Sequence, residues 1–293
     1  MKIGLIDVDS HNFPNLALMK ISAYEKSKGN TVEWWNGFEH YDRVYKAKVF
    51  DQTYTNDLDY VIDADEVIEG GTGYGLDNVL PDEIEHIYPD YELYGDKNTA
   101  IGFLTRGCPR HCPFCIVGDK EGLVSHKVAD LSEFWHGQEN IELMDANLLA
   151  CRDRVELLNQ LAESNAVVNF NQGLDVRLLG KSIASILNGI RIKRIHFAWD
   201  NYEFKTMRNL EDARKWLKFN GRNIVVYVLT NFNTTIEQDL ERIYAINEIG
   251  FDPYVMIYDK PNASKQIRAL QRWCNSKQLF RSCDWSEYKF NKR

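Results

Sequence analysis

Cys108, Cys112 and Cys115 fall within eight residues in TRGCPRHCPFCIVG, a C-x3-C-x2-C spacing in a segment rich in Gly and Pro. Such a loop lets three thiolates converge on one metal centre. A structural zinc site takes four ligands in paired groups, and no second pair follows at the usual distance. His111 adjoins Cys112 and is poorly placed to close a tetrahedron. Iron-sulfur clusters are held by thiolates, and three ligands for four irons leave one iron open. An open metal position binds a substrate or cofactor directly. Cys151, Cys274 and Cys283 lack this grouping and read as buried, inert thiols.

The loop must be held by the elements around it, and from Thr99 the chain alternates regularly. Apolar runs predict strands at 101–105, 141–144, 167–170, 194–198, 224–229 and 254–258, with amphipathic helices between them, among them 155–163, 210–219 and 236–249. Thr234 followed by Glu237 predicts a capping box at the start of the last helix. Six such βα units make a curved sheet or partial barrel with its site at the carboxyl ends of the strands. The cysteine loop follows the first strand. Polar residues end the others: Asp145 and Asn147 after the second, Asn171, Gln172, Asp175 and Arg177 after the third, Asp200 and Asn201 after the fourth. Asp175 and Arg177 suit an ion pair with each other as well as a ligand clamp. Tyr227, Thr230, Asn231 and Tyr258 are further candidates. Upstream, a strand over 1–8, a helix over 15–28 and a strand over 31–35 form a βαβ opening, and DYVIDADEVIEGGTGYG adds a strand and a glycine-rich turn. The expected architecture is α/β: a small Rossmann-like domain over 1–96, a (βα)6 partial TIM barrel over 97–262 and a helical, basic and aromatic extension over 263–293.

With Phe114 before its last cysteine, the motif resembles that of the radical S-adenosylmethionine (SAM) superfamily, and TRGCPRHCPFC is most similar to the branch with an N-terminal cobalamin-binding-type domain. The resemblance covers about residues 98–260. It implies a [4Fe-4S] cluster on Cys108, Cys112 and Cys115, an external one-electron reductant such as flavodoxin or ferredoxin, and cleavage of SAM to a 5'-deoxyadenosyl radical that abstracts hydrogen from a substrate. It places Phe114 against the adenine and Asp145 and Asn147 near the methionine ammonium. Arg177 would clamp the SAM carboxylate, with Gln172 and Asp200 as further SAM contacts. The family's glycine-rich version of the second-strand motif is absent. Asp9-Ser10-His11 matches the start of an Asp-x-His-x-x-Gly loop in which His11 would be a cobalt ligand. Pro14 stands where the glycine should be, so bound cobalamin is not expected and the domain reads as degenerate.

Composition bounds the rest. The 293 residues are 44% hydrophobic and carry a net charge of −8, which suits a globular chain and argues against a free-standing nucleic-acid binder. Residues 51–96 hold 14 Asp or Glu and no Lys or Arg, whereas 260–293 hold nine Lys or Arg and two Asp or Glu. No apolar run reaches the roughly 20 residues that span a bilayer, and acidic residues interrupt the N-terminus where a signal peptide has its apolar centre. A cytoplasmic enzyme without membrane contact is expected. Two other readings stand beside it. One is a non-catalytic iron-sulfur or zinc module for a partner. The other is an RNA- or cobalamin-linked methyl or methylthio transferase, in which Trp273, Phe280 and Trp285 of the basic tail stack bases.

Overall fold

A computed structural model describes residues 1–10, 13–51, 54–57 and 61–288. The chain divides into two compact units, one of residues 1–102 and 129–141, the other of 103–128 and 142–293.

In the first unit, β1 (Lys2–Asp7), α1 (Leu16–Ser27), β2 (Thr31–Trp34), β3 (Tyr41–Ala47) and β4 (Ala64–Gly70) form a parallel sheet in the order β2-β1-β3-β4. The Asn15 side chain caps α1 by accepting from Leu18 N, and Gly29 follows its end at φ +81°. One core holds Ile3, Leu5, Leu18, Ile21, Tyr45 and Ala47, with Ile84 from the short helix α2 (Asp82–Glu85). Each such aliphatic burial contributes about 1.5–3 kcal/mol. Strand β3 carries no clear strand signal, because YDRVYKA puts Arg43 and Lys46 in the run. Carboxylates on β4 neutralise both: Glu66 accepts from Arg43 at 2.6 Å and Glu69 from Lys46 at 3.2 Å.

The second sheet has six strands: β5 (Thr99–Gly102), β8 (Asn140–Leu143), β9 (Val167–Phe170), β10 (Arg191–Ala198), β11 (Ile224–Thr230) and β12 (Asp252–Ile257), adjacent in that order. The pairs β9–β10, β10–β11 and β11–β12 are parallel. Between β5 and β8 lie a short hairpin of β6 (Thr105–Arg106) and β7 (His126–Lys127) and the helix α3 (Val117–Glu121). Helices α4 (Arg154–Ser164), α5 (Lys181–Leu187), α6 (Phe204–Trp216) and α7 (Ile236–Ile249) alternate with the later strands, and α8 (Lys265–Asn275) and α9 (Lys277–Ser282) close the chain.

Three boundaries differ from expectation for visible reasons. The first strand of this sheet stops at Gly102, not Thr105, because Asp145 takes the amides of Leu104 and Thr105. Helix α6 stops at Trp216, not Phe219. There Asn188 donates to Trp216 O at 3.0 Å and accepts from Lys218 N at 2.8 Å, which ends the helix. The capping box of α7 is Thr235 with Gln238, one residue beyond the predicted pair, because Thr234 Oγ1 is committed to Asp239 at 2.6 Å. Among the described residues no helix is long and apolar enough to cross a membrane.

Candidate functional site

The cysteine loop is an excursion pinned at its base. Gly107 takes φ +87°, and a Cβ there would fall 2.2 Å from Val124 O, so only glycine fits. Cys108 N donates to Gly122 O at 3.1 Å. Glu121 closes the base by accepting from Arg106 Nη1 and Gly107 N, each at 3.0 Å. Within the loop His111 takes φ 45° and Cys115 N donates to Cys112 O at 2.9 Å, which turns the chain so that its cysteines follow one another closely. All three are free thiols. Burial, then the charge of Asp200, pushes the Cys112 thiol up. No group of three or more His, Cys, Asp or Glu side chains is gathered to hold a metal ion among the described residues. The donor chemistry nevertheless fits a thiolate-held cluster: three unpaired thiols share one braced loop.

Around the loop the strand ends contribute different things. Asp145 is buried, and its carboxylate accepts from Thr105 N at 2.5 Å, Thr105 Oγ1 at 2.6 Å and Leu104 N at 3.3 Å. Burial pushes it up to about 6 against those donors. Its oxygens are thus engaged with the backbone that enters the cysteine loop. Asn147, also buried, donates through Nδ2 to Cys108 Sγ and to Asp175 Oδ2, both at 3.4 Å. Its Oδ1 has no partner, an orphaned buried acceptor beside a cluster thiol.

Asp175 joins loop to strand end. It accepts from Arg110 Nε at 2.6 Å and from Arg177 Nε at 2.7 Å and Nη2 at 3.2 Å. Burial would raise its pKa, but the two guanidiniums outweigh this and hold it below the usual carboxylate range. Arg177 is therefore engaged with Asp175. Gln172 is exposed on the turn after β9 and makes no hydrogen bond among the described residues. Asp200, after β10, is pushed up to about 6 by burial, with the charges of Arg242 and Arg177 opposing. Phe114 meets Phe232 edge-on at 5.4 Å between centroids, and Phe232 meets Tyr258 at 4.9 Å, so an aromatic group joins the loop to the ends of β11 and β12.

Arg242 carries a role that the pattern of polar strand ends does not signal. Wholly buried on α7, it donates to the carbonyl of Trp199, to Asp200 O at 2.9 Å and to Leu229 O at 2.8 Å, and pairs with Asp239 at 2.5 Å. It ties the ends of β10 and β11 together behind Asp200. An arginine inside an otherwise amphipathic helix was the available signal, but helical arginines usually face water.

The other three cysteines lie elsewhere. Cys151 is buried 4.0 Å from Asp153 Oδ2. Cys274 is buried, pushed up to about 12, whereas Cys283, expected to be buried, is only half-buried and donates to Leu279 O at 3.7 Å. The tail aromatics stack on each other: Trp273 is fully buried, with Phe280 at 4.9 Å, Trp285 at 5.6 Å and Tyr244 at 5.9 Å. Trp273 thus has no face to offer a base, contrary to the base-stacking expectation. His11 lies outside the described residues.

No protein-family model and no curated protein matches this chain. Five chains of solved structures do. One is described as the structure of the radical S-adenosylmethionine methyltransferase TsrM from Kitasatospora setae with cobalamin and [4Fe-4S] cluster bound. It aligns with a TM-score of 0.61 at 9% identity, over 87% of this chain and 74% of that one. At that identity the likeness is one of fold. It nonetheless corrects the expectation that cobalamin is absent, since a protein sharing this fold over most of the chain has both cobalamin and a [4Fe-4S] cluster bound. Pro14, the departure behind that expectation, directly precedes the Asn15 cap of α1.

Proposed function

We propose that the chain is a radical SAM enzyme in which Cys108, Cys112 and Cys115 hold a [4Fe-4S] cluster with one iron open to SAM. The observation that carries this reading is the braced loop of three free thiols at the carboxyl end of a six-stranded sheet, in a fold shared with a radical SAM methyltransferase. When bound, the cluster supplies the electron, drawn from an external reductant such as flavodoxin or ferredoxin, that cleaves SAM so that hydrogen can be taken from a substrate.

The chain's own residues bind and orient. Asn147 Oδ1, buried and without a partner, accepts from the SAM ammonium. Phe114, braced by Phe232, lies against the adenine. Asp175 keeps Arg110 on the strand end and so fixes the loop, while Arg177 and Gln172 line the approach. Asp200 holds a proton on its carboxyl below about pH 6 and above that adds negative charge beside Cys112. Asp145 acts through Thr105 as a positioning residue for the loop. The six strands form a partial barrel, preceded by a Rossmann-like domain over 1–96 and followed by the extension from 263, in a cytoplasmic enzyme.

A second reading is favoured by the fold likeness: SAM-dependent methyl transfer through a cobalamin carried by the first unit. Products separate the two. Protein reconstituted anaerobically with iron and sulfide, then given SAM and dithionite, should release 5'-deoxyadenosine under the first reading. It should release S-adenosylhomocysteine, and only with added hydroxocobalamin, under the second. Neither product from cluster-loaded protein overturns both.

A further inference from the structure

The cations of the basic tail are used unevenly. Lys277 and Arg281 pair with Asp252 at 3.7 Å and 3.6 Å. Lys260, Lys265, Arg268 and Arg272 are exposed and make no ion pair with any described residue. In a chain of net charge −8 they are a local reversal of sign. Such a run is ordinarily a solvated face. Its neighbours mark this one out.

The cations are gathered. Arg268 donates through Nε to Ala263 O at 3.1 Å and through Nη2 to Pro261 O at 2.8 Å, which holds its guanidinium on the turn that contains Lys260. Ser264 caps α8, so Lys265, Arg268 and Arg272 follow at i, i+3 and i+7 and share one face of the helix. Asp259, the acid of this turn, accepts from Asn262 Nδ2 at 3.0 Å. Apolar side chains stand exposed where the turn begins: Met256 is 45% and Tyr258 42% exposed. Tyrosine, methionine and arginine together are the residue types enriched where proteins meet.

Tyr258 also leads inward. Its amide donates to Thr230 O at 3.0 Å and its carbonyl accepts from Asn231 Nδ2 at 2.9 Å, which fixes it on the end of β11. Its ring meets Phe232 at 4.9 Å, and Phe232 meets Phe114, between Cys112 and Cys115, at 5.4 Å. A surface ring is thus two ring contacts from the cysteine loop. Electron transfer between proteins needs such a short path from the docked donor.

We infer that Lys260, Lys265 and Arg268, around Tyr258, form the docking surface for an acidic one-electron carrier protein. The inference rests on the cluster reading of Cys108, Cys112 and Cys115. The carrier loses one electron, the group held by the loop gains it, and no bond or proton is exchanged. Cations facing the carrier's carboxylates steer the encounter and fix its orientation. Nucleic acid, another anionic partner, fits less well. Trp273 is buried within the tail, where it offers no face to a base, and the chain as a whole is negative.

Binding of oxidised flavodoxin, an acidic carrier, to full-length, metal-free protein is measured by calorimetry at low and high salt, with single-stranded RNA as the competing probe. Flavodoxin should bind at low salt and weaken as salt rises. Lys260→Glu combined with Lys265→Glu changes two exposed, unpaired side chains and should weaken it about tenfold, while Lys260→Arg with Lys265→Arg retains the affinity. In reconstituted protein the charge-reversed variant should cleave SAM at the wild-type rate with dithionite and need about tenfold more reduced flavodoxin for its half-maximal rate. Wild-type protein that cleaves no SAM even with dithionite overturns the cluster reading and this inference with it. Cleavage with dithionite, together with flavodoxin binding that is absent or the same in the charge-reversed variant, overturns this inference alone. So does RNA that binds wild type more tightly than flavodoxin and is lost in that variant.

Discussion

Past the carboxyl end of β9, Asp175 meets two guanidiniums; at the carboxyl end of β3, Lys48 meets no carboxylate among the described residues. Both are buried charges at strand ends, where α/β folds keep their ligand sites. The difference lies in what each charge is for. Asp175, Arg110 and Arg177 form a closed network that fixes a loop before any ligand arrives, and Arg242 does the same for the ends of β10 and β11. Lys48 is buried and makes no hydrogen bond or ion pair through its ammonium with any described residue, so no closed network surrounds it. A buried charge held in a closed network and one without a described partner therefore predict opposite responses to removal.

Substitutions sharpen or break that contrast. The largest effect is expected at Arg242→Met. It leaves Asp239 buried and three strand-end carbonyls without their donor, and should lower unfolding stability by about 3–5 kcal/mol in urea titration. Asp175→Ala follows, at about 1–2 kcal/mol, because Arg110 and Arg177 are each about a third exposed and water replaces part of the lost interaction. Lys48→Met should act in the opposite direction, raising stability of the ligand-free protein by about 1–2 kcal/mol. Equal destabilisation by Asp175→Ala and Lys48→Met would break the comparison.

Smaller effects come from Asp200. Burial pushes its carboxyl up to about 6, above the ordinary aspartate value of 3.8. The stability it contributes is therefore complete below pH 3.8 and lost as pH rises through about 6. Asp200→Asn should then exceed wild type in urea midpoint above pH 6, with the gap narrowing toward pH 4. The same substitution removes a charge that pushes the Cys112 thiol up, so alkylation of Cys112 in metal-free protein should quicken by about two- to fivefold at neutral pH.

Much of the second sheet was legible in the sequence. Its strands are apolar runs, and α7 carries a clear apolar stripe over the residues predicted. The cysteine spacing was legible because ligand chemistry constrains residue type and distance together. What the sequence hid depends on contacts between distant segments. Asp145 looks like a ligand at a strand end, and only its hydrogen bonds to Leu104 and Thr105, some 40 residues away, reveal a brace. Strand β3 was hidden because its charges are neutralised by β4, and Lys48 because nothing in its neighbourhood of sequence signals the missing partner.

The proposed function stands or falls with the three-thiol loop holding a cluster that has one iron open to SAM. Electron paramagnetic resonance of the reconstituted, dithionite-reduced protein tests it most directly. A reduced [4Fe-4S] signal that changes on adding SAM and is lost in Cys112→Ala is expected. A protein that retains zinc and gives no iron-sulfur signal, or whose signal survives in Cys112→Ala and ignores SAM, would contradict it.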